Sequence, residues 1–107
     1  MNARKNRYAA AAVLGLCVGY TTAACALDGA ALYKEKICNT CHGENGAQPI
    51  MPLYPKVKGQ NAPYLVQQMK DIRDGKRTNG LAVAMKAVVS SVTDEEFQAI
   101  ADWLAAN

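Results

Sequence analysis

The sequence has 107 residues, enough for one small domain, and its twelve basic and nine acidic residues give a formal net charge of +3. Three of the basic residues, Arg4, Lys5 and Arg7, precede an apolar run, so the rest of the chain holds nine charges of each sign. The excess of positive charge is confined to this first segment and is therefore no evidence for binding to nucleic acid or to a membrane surface.

The first 26 residues have the organisation of a secretory signal peptide. A basic start is followed by an apolar run over residues 9–18 and by small residues at Ala24 and Ala26. The run is too short for a membrane span, which needs about 20 apolar residues. We therefore predict cleavage after Ala26, export to the periplasm, and a mature domain of residues 27–107 without a membrane span.

Cys25 leaves a minor alternative to simple export. Residues 22–25 weakly resemble the box that directs lipid attachment to an N-terminal cysteine, although Thr22 stands where that box prefers a larger aliphatic residue. The alternative is a lipoprotein anchored through Cys25.

Only two cysteines remain in the predicted mature domain, because Cys17 and Cys25 belong to the leader. Cys38 and Cys41 are three positions apart, so they cannot form a long-range disulfide. A domain of 81 residues buries a modest fraction of its surface and often needs a covalent staple or a cofactor. Something other than a disulfide must therefore complete the core.

The first predicted helix begins after Asp28, which can cap it, and Tyr33 and Ile37 would share one face a turn apart. Glycines and prolines over residues 43–59 indicate a long loop. Pro63 suits the first turn of a second helix and Gly75 its end. Between them an apolar stripe recurs at helical spacing, formed by Leu65, Met69 and Ile72.

Residues 74–80 indicate another loop and residues 82–89 a short helix. Thr93 and Glu96 form a capping box at the start of the last helix. The sequence contains no convincing strand, so the predicted fold class is all-α, with about four short helices. The buried face of the last helix is formed by Phe97, Ile100, Ala101 and Leu104.

The segment Cys38–His42 has the pattern C-x-x-C-H of covalent haem attachment. Two thiols at this spacing can each form a thioether with one of the two vinyl groups of a haem. The next residue, His42, is then held beside the iron as an axial ligand. We predict one covalent haem c, which would supply the missing apolar component of the core.

Two other interpretations of this segment are weaker. A thioredoxin-like redox pair expects a βαβ context, which is missing here. A structural zinc site wants four cysteine or histidine ligands, and the mature domain offers three, since His42 is the only histidine.

The candidates for the second axial ligand are Met51, Met69 and Met85, because the mature domain offers no second histidine. Met69 lies on an apolar helix stripe, which indicates core packing, and Met51 follows His42 by only nine residues in the loop on the same side. Met85 is 43 residues past His42 and has enough intervening chain to approach the opposite face. Met85 is therefore the favoured ligand and Met51 the second choice.

The chain resembles a short bacterial class I cytochrome c over nearly all of the predicted mature domain. The attachment motif is specific, and weaker landmarks follow in the order typical of that family. They are Cys38–Gly43, Pro52–Pro55, Gly59–Gln60, Tyr64–Leu65, Gly75–Arg77, Met85 and the closing helix over residues 94–105.

This resemblance implies a cytochrome c fold wrapped around one haem, with His42 and Met85 as axial ligands of the iron. It also implies that the first helix packs across the last, where Tyr33 and Trp103 would meet. The family pattern makes Pro52 the expected carbonyl acceptor for the His42 ring.

Pro49 and Pro55 are close enough in sequence to compete with Pro52 for that role.

An iron with both axial positions filled can pass electrons but is poorly suited to bind a substrate. We predict a monomeric, periplasmic electron carrier without a catalytic residue, which docks transiently at the haem edge with partner proteins. The alternative is a haem c subunit of a larger dehydrogenase or oxidase complex. The basic residues expected to surround the docking edge are Lys56, Lys58, Lys76, Arg77 and Lys86.

Overall fold

The structure, a computed structural model, describes residues 26–107, and the predicted signal peptide lies outside the described residues except for Ala26. Over this range the chain forms helices and no strand, which confirms the all-α prediction. No helix in the described part of the chain is long and apolar enough to cross a membrane. The helices are α1 (Gly29–Glu35), α2 (Cys38–His42), α3 (Ala62–Arg73), α4 (Ala82–Val89) and α5 (Asp94–Ala106).

The attachment motif forms a helix of its own, α2, so the structure has one helix more than predicted. Ile37 separates α1 from α2 because its φ of 57° lies in the left-handed region, where a β-branched residue is strained. Ile37 lies outside α1 and is 53% exposed, so the prediction that it shares a helix face with Tyr33 was wrong. The break allows Cys38 to start a new helix in a new direction.

The two terminal helices cross closely, and this crossing is the centre of the fold. Gly29 in α1 faces the backbone of Ala99 and the Cβ of Trp103 in α5, where an added Cβ would come within 2.7 Å of Trp103 Cβ. The rings of Tyr33 and Trp103 lie 5.0 Å apart, as predicted. Both contacts hold α1, and hence the neighbouring α2, against α5.

A salt bridge adds to this crossing. Lys36 Nζ lies 3.0 Å from Glu96 Oε2, and Glu96 also completes the predicted capping box with Thr93. The pKa of Glu96 is below its ordinary value, first because Lys36 donates a hydrogen bond to its carboxylate. The residue that caps α5 thus also binds the end of α1.

Helix α3 is fixed to the start of α5 by Arg73. Its guanidinium donates to Asp94 Oδ1 at 2.7 Å and to the Val92 carbonyl at 3.1 Å, and it lies over the Phe97 ring at 5.1 Å. Lys70 forms a second ion pair with Asp94. The acidic start of α5 is therefore tied to two cations of α3.

The end of α3 is a Schellman motif. Gly75, at φ 77°, donates its N–H to the Ile72 carbonyl, and Lys76 donates to the Asp71 carbonyl at 2.8 Å. The Asp71 carbonyl also accepts the N–H of Arg77 at 3.0 Å. The prediction that Gly75 ends this helix is confirmed. The motif also fixes the direction in which the chain, with Arg77, continues after the helix.

We predict that Gly29→Ala destabilises the protein by about 1–3 kcal/mol, because the added methyl group must displace the α5 backbone. Urea denaturation of the two proteins measures the difference. Lys34→Ala, an exposed change on the same helix, is the control and should shift the free energy of unfolding by less than about 0.5 kcal/mol. Equal stability of Gly29→Ala and the parent would contradict the close crossing.

Candidate functional site

The two cysteines of the attachment motif lie on the single turn of α2. Both are half-buried and free of any disulfide. Burial raises the pKa of the Cys38 thiol to about 11. Neither sulfur is committed to a disulfide, so both thiols can bond to an outside group.

Tyr33 fixes the C-terminal end of the motif. Its hydroxyl donates a hydrogen bond of 2.6 Å to the Gly43 carbonyl, the residue directly after His42. The Tyr33 ring is almost fully buried, and burial raises its pKa to about 12. Helix α1 thus holds α2 from one side while α1 itself rests on α5.

The ring of His42 is oriented by a backbone carbonyl. Its Nδ1 lies 2.9 Å from the Pro55 oxygen, and the ring is buried. A carbonyl only accepts hydrogen bonds, so Nδ1 carries the proton and Nε2 keeps its lone pair for a metal. The resemblance had implied Pro52 for this role; that prediction was wrong, and Pro55 takes the place.

The path of the loop explains the choice of proline. Ile50 N–H donates to the Cys41 carbonyl, and Tyr54 N–H closes a turn on the Met51 carbonyl, both at 3.1 Å. The turn carries Pro52 outward and returns the chain beside His42 with the Tyr54 ring 6.3 Å from the imidazole. Pro55 is the first proline after the turn, so its carbonyl meets the ring.

Two adjoining cavities, of about 250 and 190 Å³, open beside α2. Together they fall in the range of roughly 300–1,000 Å³ that ligand sites occupy. Their walls are mostly apolar and come from all five helices and the proline-rich loop. The residues that line both cavities are Cys38, His42, Pro55, Met69, Ile72, Arg77, Met85 and Ile100.

The methionines differ in their relation to these cavities. Met85, in α4, lines both cavities and is partly buried against the core. Met69 also lines both but is a core residue of α3, with 8% of its surface exposed. Met51 lines neither and is 39% exposed. The geometry favours Met85 over Met51, the second choice from the sequence, and leaves Met69 to be tested.

The charged side chains that line the two cavities are all cationic. Lys36 lines the larger cavity, Lys56 the smaller one and Arg77 both, while no Asp or Glu of residues 26–107 lines either. Of the basic residues predicted to surround a docking edge, only Lys56 and Arg77 border a cavity. Lys58, Lys76 and Lys86 do not.

Exposed apolar side chains border the larger cavity. Ile37, Leu53 and Leu81 line it, and Leu53 is 77% exposed. Leu53 and Leu81 were not singled out in the sequence. Their only signal was an apolar residue in a stretch that otherwise indicates a loop. The rim of the larger cavity is therefore apolar as well as cationic.

The donor set and cavity walls fit a covalent haem. Two free thiols at the required spacing, a histidine with an available Nε2 and a methionine, Met85, line the same cavity. A haem in this space would be held by Cys38, Cys41 and His42 on one side. Met85 would supply the donor on the other.

A protein-family model described as cytochrome C oxidase, cbb3-type, subunit III matches residues 24–104, about three quarters of the chain. Cytochrome c-553 of Nitratidesulfovibrio vulgaris is 37% identical over 95 residues, which cover 86% of this chain and 91% of that protein. Cytochrome c-554(548) of Halomonas halodenitrificans is 40% identical over 76 residues, 69% of this chain and 90% of the relative.

Cytochrome c4 of Pseudomonas aeruginosa is a longer relative. It is 39% identical over 72 residues, which cover 67% of this chain but only 34% of that protein. The chain therefore spans about a third of cytochrome c4, and about nine tenths of each of the two shorter relatives.

We predict that Tyr33→Phe lowers the free energy of unfolding at pH 7 by about 1 kcal/mol. The cost stays moderate because Gly43 O also accepts the Gly46 N–H at 3.3 Å. Because the folded pKa of about 12 exceeds the unfolded value of 10.0, Tyr33 contributes stability below pH 10 that is lost as the pH rises to 12.

The variant should lack that part of the alkaline loss of stability. Urea denaturation between pH 7 and 12 measures both effects. Tyr64→Phe, at a half-exposed tyrosine, is the control. Identical alkaline profiles for Tyr33→Phe and the parent would refute the role given to this hydroxyl.

Proposed function

Because the chain belongs to the family of small bacterial c-type cytochromes matched by the cbb3-type subunit III model, it carries haem c and transfers electrons, and we propose the following roles for its residues. Cys38 and Cys41 form the two thioethers to the haem. His42 and Met85 would hold its iron. The observation that supports this most is the hydrogen bond of His42 Nδ1 to Pro55, which leaves Nε2 available beside a cavity that Met85 also lines.

A bound haem iron supplies a one-electron couple between its ferrous and ferric states. The chain's own residues set how that couple behaves. A methionine sulfur as the second iron ligand would favour the reduced state. Apolar surroundings also favour it, and Ile72 and Ile100 provide such surroundings at the cavity wall. The Pro55 carbonyl keeps the imidazole in one tautomer and orientation, so little rearrangement accompanies electron transfer.

We further propose that the chain alone is not an enzyme. Met85 fills the position on the iron that a substrate would need, and His42, the only histidine of the sequence, is used as a ligand. The first residues of α5 are acidic, but Asp94 and Glu96 are bound in ion pairs between helices. Neither of these two carboxylates is left to act as a catalytic base.

The proposed partners are redox proteins of the periplasm, and the predicted leader supports that location. Docking would use the apolar rim of Ile37, Leu53 and Leu81, which borders the cavity that Cys38 and Cys41 also line. A rim of three exposed apolar side chains suits a short-lived complex that buries less than about 1,200 Å². The chain would then act as a monomer that exchanges partners.

The printed description of the family model supports a second candidate, because it names an oxidase subunit. In that case the chain is a haem c subunit held permanently by a larger dehydrogenase or oxidase complex. The same haem ligands would serve, and the apolar rim would be covered by the complex.

We predict that the mature protein carries one haem that survives denaturation, because two thioethers hold it, and mass spectrometry of the denatured protein measures this. The parent should show the weak methionine-to-ferric charge-transfer band and no reaction of its ferrous form with carbon monoxide. Met85→Leu should lose the band and gain carbon monoxide binding, because leucine offers no donor atom to the iron.

Met69→Leu and Met51→Leu are the matched controls and should keep the parent spectrum. A Met-to-Leu change in the core costs less than about 1.5 kcal/mol, so Met69→Leu remains folded. Loss of the band in Met69→Leu instead of Met85→Leu would transfer the ligand role to α3. A denatured parent without haem would overturn the proposed function.

We predict that the native haem protein elutes from a size-exclusion column at the size of a single chain, because a carrier that exchanges partners is bound to each of them only briefly. Extract from the native source, applied without detergent and followed by haem absorption, makes the measurement. Constant co-elution with a flavin or metal subunit would favour the second candidate.

A further inference from the structure

Asn79 and Gly80 form one of the two Asn–Gly pairs of the sequence, the other being Asn45 and Gly46. An Asn–Gly pair is prone to deamidation, because glycine carries no side chain to shield its backbone nitrogen from the preceding amide. The two pairs have the same covalent chemistry, so any difference in their reactivity comes from the fold. The structure gives them opposite surroundings.

Asn45 and Gly46 are held by the segment around them. The Asn45 side-chain oxygen accepts the Ala47 N–H at 3.2 Å. The Gly46 N–H donates to the Gly43 carbonyl at 3.3 Å, and Gly46 is buried. A bond between this side chain and this nitrogen would break both hydrogen bonds inside a packed segment, which makes the reaction costly.

Asn79 and Gly80 are both exposed. A Cβ added at Gly80 would meet nothing within 4 Å, and the Gly80 N–H donates no hydrogen bond among residues 26–107. The Asn79 carbonyl accepts the Ala82 N–H at 3.1 Å, which closes a turn over residues 79–82 with Gly80 at φ 56°. The reacting nitrogen is therefore unshielded, and its attack on the amide breaks no hydrogen bond that it donates.

Arg77 makes the amide of Asn79 more reactive. Its Nε donates to Asn79 Oδ1 at 3.4 Å, and it forms no ion pair among residues 26–107. Negative charge develops on this oxygen when the backbone nitrogen attacks the amide carbon, and a cation beside the oxygen stabilises that charge. The corresponding oxygen of Asn45 is bound by a neutral backbone N–H instead.

We propose that Asn79 is a deamidation site of the folded protein, through which the chain acquires a carboxylate at the wall of the larger cavity. The Gly80 nitrogen gives up its proton and bonds to Asn79 Cγ, while the Cγ–Nδ2 bond breaks and the side-chain nitrogen leaves as ammonia with that proton. Water then opens the cyclic imide at either carbonyl. The products are aspartate and isoaspartate, whose backbone is longer by a methylene group.

The new carboxylate would act on the redox couple, a consequence that rests on the proposed haem site. Asn79 and Gly80 line the larger cavity together with His42 and Met85. A negative charge at that wall stabilises the ferric form relative to the ferrous form. Isoaspartate also lengthens the chain shortly before α4, which carries Met85. Deamidation should therefore shift the couple toward the oxidised protein as the protein ages.

The test incubates the haem-loaded protein at neutral pH, either native or in enough urea to unfold it. Trypsin places the two sites in separate peptides, residues 78–86 and 37–56, and mass spectrometry measures the conversion of each. In the native protein Asn79 should convert at least about tenfold faster than Asn45, because Asn45 must open locally before it reacts. In urea the two rates should agree within about twofold, because the fold no longer distinguishes them.

A redox titration of the native samples follows the consequence. The ratio of reduced to oxidised protein at fixed potential should fall as Asn79 converts, by about threefold or more at full conversion. Asn79→Gln keeps an amide but closes the imide ring far more slowly, so its ratio should stay constant with age. Asn45→Gln is the matched control, because Asn45 lines neither cavity, and it should change with age as the parent does.

Equal conversion of the two sites in the native protein would overturn the proposal, and so would an Asn79 that converts in urea but not in the native protein. Conversion of Asn79 without a change in the redox couple would overturn the consequence for electron transfer. A parent without covalent haem would overturn the proposed function, while the peptide measurement would still decide whether Asn79 is deamidated.

Discussion

The close crossing of α1 and α5 is the constraint on which the rest of the structure depends. Gly29 permits the approach, and the Tyr33–Trp103 contact fills the space beside it. The Tyr33 hydroxyl then donates a hydrogen bond to the Gly43 carbonyl, so the crossing also fixes the end of α2. A haem-binding histidine is useful only if its ring is fixed, and here the fixation begins at two helices far apart in sequence. The crossing of α1 and α5 therefore supports the ring of His42, and both helices also contribute side chains to the cavity walls.

A small chain that builds a large cavity gives up core contacts, and the arrangement of polar ties offsets part of that loss. The buried residues of α1, α3 and α5 form one cluster, but the cavities remove neighbours from one side of Met69, Ile72 and Ile100. The ion pairs of Arg73 with Asp94 and of Lys36 with Glu96 tie the helices that border the cavities to one another. A covalent haem would complete the core between these helices.

The sequence predicted the features that depend on local chemistry, since each has a short-range signal. The capping box at Thr93, the helix end at Gly75 and the contact of Tyr33 with Trp103 were all predicted and are present. Features that depend on the path of an irregular segment were missed. Pro55 replaces Pro52 beside His42 because a turn, which no periodicity reveals, sets which carbonyl returns to the ring.

Ile37 was assigned to the first helix for a related reason. Its spacing from Tyr33 is helical, but the backbone breaks at Ile37 and no sequence signal marks that break.

Charge is divided across this molecule in a way that bears on its redox chemistry. The predicted mature domain is formally neutral, yet Asp94 and Glu96 are bound between helices while Lys36, Lys56 and Arg77 line the cavities. The acidic groups stabilise the scaffold, and the basic groups face the space where electrons would be stored. Adding an electron to a centre with cationic walls is more favourable than adding it to one with neutral walls. Lys36 is itself paired with Glu96, but Lys56 and Arg77 line the cavities without a carboxylate partner among residues 26–107, and this arrangement favours the reduced state.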